Sequence, residues 1–105
     1  MTDEVIDAIK ANYPIDLYKA ELLARKVDLC IKGGQLKEAL DAAVQARDVL
    51  EKSGLVTVFR DSKGEYYAGP NGFIVEAKTQ HALDLHVDVD VSIRALTSAL
   101  NPELG

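Results

Sequence analysis

Between positions 83 and 93 the chain reads Leu-Asp-Leu-His-Val-Asp-Val-Asp-Val-Ser-Ile, and the period assigned to that stretch decides the fold. At period two, Leu83, Leu85, Val87, Val89, Val91 and Ile93 alternate with Asp84, His86, Asp88, Asp90 and Ser92, the pattern of a half-buried strand. Two features favour a helix instead. A strand would place three aspartates on one face at neighbouring positions, and aspartate is depleted in strands. The flanks also continue a helical period, since Ile74, Ala77, His81, Leu85, Val89, Ile93, Leu96 and Leu100 step by three or four. In helical projection Leu83, Val87 and Val91 form a second apolar stripe roughly opposite the first, at about 100° per residue. The expectation is one long helix from about residue 71 or 72 to Leu100. A helix apolar on two sides is buried on two sides, and in so small a chain the second stripe has no partner left except another subunit.

Upstream of this helix the texture is β-like. Leu55-Val56-Thr57-Val58-Phe59 is β-branched and aromatic, Asp61-Ser62-Lys63-Gly64 is turn chemistry, and Glu65-Tyr66-Tyr67 resumes β-type residues before Gly69-Pro70-Asn71-Gly72. These residues predict a short β-hairpin over 53–72. Further upstream, Leu17, Ala20, Leu23, Ala24, Val27 and Ile31 mark a helix from about Ile15 to Lys32 that stops at Gly33-Gly34. Leu22 and Leu29 lie off that stripe, so this helix too is apolar on more than one side. Leu36, Ala39, Leu40, Ala43, Val49 and Leu50 mark another helix from Leu36 to Lys52, and the two read as an antiparallel hairpin. Val5, Ile6 and Ile9 predict a short first helix between Asp3 and Asn12. The fold class expected is mostly α, in one domain over 1–105: a helical region (1–52), a β-hairpin (53–72) and a long C-terminal helix (73–100), in an oligomer.

Composition narrows the function classes. The chain has 105 residues, 48% hydrophobic and 28% charged, which is globular composition and the length of one ordinary domain. No apolar run approaches the roughly 20 residues of a spanning helix, and the acidic start resembles no signal peptide, so a cytoplasmic protein away from membranes is expected. Cys30 is the only cysteine, which excludes an internal disulfide and a cysteine-based zinc site. There is no Trp, and aromatics amount to 6%, so the core must be built from Leu, Val, Ile and Ala. A thin core in a small chain invites oligomerisation. The net charge of −5 is spread over both halves, with 8 basic against 10 acidic residues in 1–52 and 4 against 7 in 53–105. A monomeric DNA binder normally shows a basic face, so nucleic-acid binding here would have to be local or depend on avidity.

No catalytic constellation emerges, and the chain is not expected to be an enzyme or to carry a cofactor. His81 and His86 are five apart, outside the i, i+4 spacing of a same-face ligand pair, and no metal site is expected. The glycine pairs lack the strand, lysine and helix of a phosphate-cradling loop. Cys30 lies on a Leu/Val/Ile-rich helix as a small buried hydrophobe. The basic residues are the one route to a phosphate partner. Lys19 and Lys26 share one face of the helix 15–32, Arg25 and Lys32 share another, and Arg60 and Lys63 flank the hairpin turn. On electrostatics alone these six are the candidate DNA contacts, and Leu83, Val87 and Val91 are the candidate oligomer interface.

The order of parts carries a resemblance. A helical hairpin, then Glu51-Lys52-Ser53-Gly54-Leu55-Val56, a hairpin with Lys63-Gly64-Glu65-Tyr66-Tyr67, Pro70-Asn71 before a long helix, and Leu100-Asn101-Pro102 at its end resemble the phage terminase small subunits of the P27-like family. The resemblance covers roughly residues 15–102. Gly72 stands where that family often has proline, and the tail reads Asn-Pro-Glu-Leu-Gly. What the resemblance implies is a non-enzymatic DNA-packaging subunit that assembles into a ring, recognises double-stranded viral DNA and loads the large terminase subunit in the host cytoplasm. The segment from Glu51 to Gly64 also looks like the end of a recognition helix and the wing of a winged-helix regulator. Against that, helix 36–52 offers few side chains for reading a groove, Gln45 and Arg47 among alanines and acids. A third class is a helical oligomerisation or adaptor protein without nucleic acid.

Overall fold

The computed structural model describes residues 15–101. The short helix expected over Asp3–Asn12 lies outside the described residues. Three helices, α1 (Ile15–Lys32), α2 (Leu36–Lys52) and α3 (Gln80–Leu100), enclose a two-stranded antiparallel sheet of β1 (Val56–Val58) and β2 (Val75–Ala77). Helices account for 64% of the described residues, so the chain is mostly α with a small β element. No helix among these residues is long and apolar enough to cross a membrane.

The expected helical hairpin is present with the expected ends. Gly34, at φ +75°, provides the left-handed residue that closes α1, and Gln35 N donates to the Cys30 carbonyl at 2.8 Å. α2 is the middle layer, packed on α1 to one side and α3 to the other, with little direct contact between the outer two. Its buried positions, Ala39, Ala42, Ala43, Ala46 and Leu50, explain why it can be sandwiched: alanine side chains let neighbouring backbones approach closely. Val27 and Cys30 of α1 and Val89 and Leu96 of α3 close on the alanines in one cluster. At the other end Leu17, Ala20, Leu50, Leu55, Val56 and Ala82 form a second. Leu50 and Val56 are the only large side chains buried to below 2% exposure among the described residues, so the core is thin, as the composition implies.

The stretch that decides the fold is helical. Ala82, His86, Val89 and Leu96 face inward, while Val87 and Val91 are 50% and 59% exposed. Two parts of the expectation are corrected. The helix does not begin at residue 71 or 72, and the β region does not end there. Val75–Ala77 is a strand, paired Val56↔Ala77, Thr57↔Glu76 and Val58↔Val75. Gly72 sits at φ +85° in a turn closed by its N–H to the Gly69 carbonyl, a conformation that cannot open a right-handed helix. The start is at Thr79, whose Oγ1 accepts from Ala82 N at 3.1 Å as an N-cap. Of the hairpin expected between 55–59 and 65–67, the inner part is present as the bridge Arg60↔Tyr66, with the Tyr67 N–H donating to the Phe59 carbonyl and the Asp61 N–H to the Glu65 carbonyl. The periodicity of Ile74 and Ala77 is thus accidental to the helix. His81, placed on the inner stripe by spacing, is exposed and pairs with Glu21 of α1, whereas His86 is buried.

Candidate interaction surface

The expected interface residues divide by depth. Leu83 is half-buried in a groove of about 290 Å³ between the β-hairpin and α3, and Val87 and Val91 form its outer lip. Val58, Tyr66, Ile74 and Val75 floor the groove from the hairpin side, with Arg60, Asp90 and Arg94 around it. Ile74 and Tyr66 are themselves about half exposed, so apolar surface continues from α3 across the groove to the hairpin, with Arg60, Asp90 and Arg94 beside it. On the opposite flank of α3 a second groove of about 350 Å³ runs between α1 and α3 over Ala24, Val27, Leu85 and Val89, with Asp28 and Asp88 at its rim. The shallow contact between α1 and α3 is what leaves it open.

The six candidate DNA contacts do not form one patch. Lys19, Arg25, Lys26 and Lys32 are exposed along α1, and an 18-residue helix is about 27 Å long. Arg60 and Lys63 belong to the hairpin, beside the opposite end of the bundle from Lys32. Arg60 is committed to an internal contact. Its guanidinium donates to Glu51 Oε1 at 2.8 Å and lies 5.3 Å from the centre of the Tyr66 ring. The Glu51 carboxylate, and after it Tyr66, hold the Arg60 pKa above its ordinary value, so the group stays charged at any working pH. Arg47 approaches the other Glu51 oxygen at 3.7 Å, and the buried His86 Nε2 at 3.6 Å makes no hydrogen bond. Glu51 therefore ties the hairpin to α2 through Arg60 and lies beside His86 of α3. Lys63 stands at the hairpin tip, where its backbone N–H donates to Asp61 Oδ1 at 2.8 Å and its side chain stays exposed.

A larger apolar surface than the one singled out on α3 lies on α1. Ile15, Tyr18, Leu22 and Leu29 are 56%, 51%, 44% and 69% exposed. They share a stripe, stepping by three, four and seven, with Arg25 and Lys32 completing its period. The off-stripe Leu22 and Leu29 carry that signal in the sequence. Spacing alone cannot say which of two apolar faces of a helix meets the core, because that depends on where the neighbouring helices lie. Among the described residues no group of three or more His, Cys, Asp or Glu is placed to hold a metal ion, and Cys30 is buried and unpaired. No known protein family, curated protein or solved structure matches the chain.

Proposed function

We propose that this protein is a non-enzymatic assembly subunit of the phage terminase small-subunit type. In this role it multimerises into a ring, binds double-stranded DNA through contacts repeated by symmetry, and presents the DNA to the large terminase subunit. The observation that carries the reading is the outward ridge of α3. Val87 and Val91 stand half exposed or more on a helix whose opposite face already closes the core, and apolar surface continues across the groove to Ile74 and Tyr66. Contiguous apolar surface of that kind marks an interaction site. The order of elements, a helical hairpin, a β-hairpin and a long last helix, supports the same reading. Avidity substitutes for net positive charge: many weak phosphate contacts on one assembly add up where a single acidic chain would bind poorly.

The winged-helix alternative is disfavoured by the position of α2. A recognition helix must be free to enter the major groove, whereas α2 is packed on two sides and its Arg47 is drawn toward Glu51. The test is mass in solution followed by DNA binding. Light scattering at micromolar concentration is expected to give a closed multimer well above the 11.4 kDa chain, and a monomer would overturn the reading. The multimer is expected to retard duplex DNA with an affinity that falls steeply with salt. A multimer indifferent to duplex DNA would leave the adaptor class instead.

A further inference from the structure

Two exposed apolar stripes on one chain raise the question of whether each pairs with its own copy or with the other. Their charges differ. The α1 stripe carries Arg25 and Lys32 in line with its apolar residues, and Lys19 and Lys26 lie along its outer flank. None of the four has an ion-pair partner among the described residues. The α3 stripe carries Asp84 in line with Val87 and Val91, with Asp88 beside them. Asp84 accepts the Gln80 side-chain amide, Asp88 has no cation partner among the described residues, and Arg94, which continues the stripe beyond Val91, is tied to Asp90 at 3.1 Å. The centre and one flank of the α1 surface are therefore apolar and basic, with Glu21 and Asp28 on its other flank, and the α3 surface is apolar and acidic.

Self-pairing fits neither. Two α3 helices laid antiparallel across Val87 and Val91 would bring Asp88 against Asp88 and Asp90 against Asp90 near the two-fold axis, and two α1 faces would confront their cations. Pairing α1 with α3 sets Arg25 and Lys19 against Asp84 and Asp88, and leaves Asp90, already tied to Arg94, opposite Glu21 on the other flank. Both stripes alternate steps of three and four, so they mesh antiparallel in a register that stacks Tyr18 on Val91, Leu22 on Val87 and Arg25 on Asp84. In the same register Lys19 falls on the flank occupied by Asp88.

We infer that the outer face of α1 in one subunit docks antiparallel on the outer face of α3 in the next, a head-to-tail interface in which Arg25 and Lys19 serve subunit pairing and not DNA. This inference rests on the proposed ring assembly and specifies how it closes: an interface between unlike surfaces generates a ring where its rotation closes.

The experiment uses two single variants of the full chain, Leu22→Asp and Val87→Asp, each placing a carboxylate in the central layer on one side only. Both positions are exposed, so circular dichroism should match wild type. Each variant alone should run as a monomer, with subunit affinity weakened by ~100-fold or more. Mixed, each keeps the face that the other has lost, so they should form a 1:1 dimer of twice 11.4 kDa and stop there. A Leu22→Asp variant that keeps the wild-type mass would overturn the inference while leaving the ring standing, as would a mixture that stays monomeric. A monomeric wild type would overturn both. Charge reversal gives an independent measure that does not depend on the apolar variants folding: Arg25→Glu and Asp84→Arg should each weaken assembly, and the double variant should recover it. Failure of the double variant to recover would sink the register.

Discussion

Both faces of α3 carry valine, and they differ in what covers it. Inward, Val89 and Leu96 meet the alanine row of α2, Ala82 joins the cluster of Leu50 and Val56, and all three are buried, whereas outward Val87 and Val91 stand half exposed or more at the lip of the hairpin groove. Valine is thus core or contact surface according to where α2 lies, not according to its own chemistry. The inner face closes the core, and on the proposed assembly the outer face carries the contacts between subunits.

The comparison can be broken most severely at Val89, which is 3% exposed. Val89→Asp buries a carboxylate without a counter-ion, and a loss of about 3 kcal/mol or more of folding stability is expected by denaturant unfolding. A loss below about 1 kcal/mol would mean that this face is not core. Ala43→Leu probes the same layer from α2. With Ala43 fully buried, the added carbons have nowhere to go, and about 1–3 kcal/mol of overpacking strain should appear as a lower melting temperature.

At the rim of the core, Glu51→Ala releases Arg60 and leaves His86 facing an empty position. Because Arg60 is partly exposed, only about 1–2 kcal/mol is expected, with hydrogen exchange in residues 59–67 accelerating ahead of exchange in α2. Thr79→Ala removes the cap that sets the first turn of α3 and should cost about 1 kcal/mol, with fraying confined to residues 80–83 by amide exchange. The smallest effect on folding belongs to the outer face. Val87→Asp should change helicity and chain stability by less than about 0.5 kcal/mol while the mass in solution falls. Unfolding of that variant would place the outer stripe in the core and erase the distinction.

Much of this architecture is legible in the amino-acid sequence. Gly33-Gly34 and Ser53-Gly54 punctuate the helices because few other residues tolerate the geometry that ends them, and the aspartates of 84–90 rule against a strand because their charges would crowd on one face. Spacing misplaces the start of α3 because Ile74 and Ala77 happen to fall on its period. Two residues of that β region, Val75 and Ala77, find their real partners in Val58 and Val56, about twenty residues away, and pairing at that distance leaves no mark on local spacing. The same non-locality hides the α1 surface, which the sequence marks only as two leucines off the main stripe, and the commitment of Arg60 to Glu51.

The sequence by itself determined that helices over 15–52 and at 83–100 flank a β segment, and that the chain carries more apolar surface than its own core can cover. It did so through periodicity and turn chemistry, properties of neighbours along the chain, and through a composition poor in aromatics and without Trp. Only the tertiary structure decided which apolar stripe is interior, where α3 begins, and that the basic and acidic outer faces belong to different helices. Those depend on α2 lying between the other two, and a helix meets its packing partners in space, not in sequence.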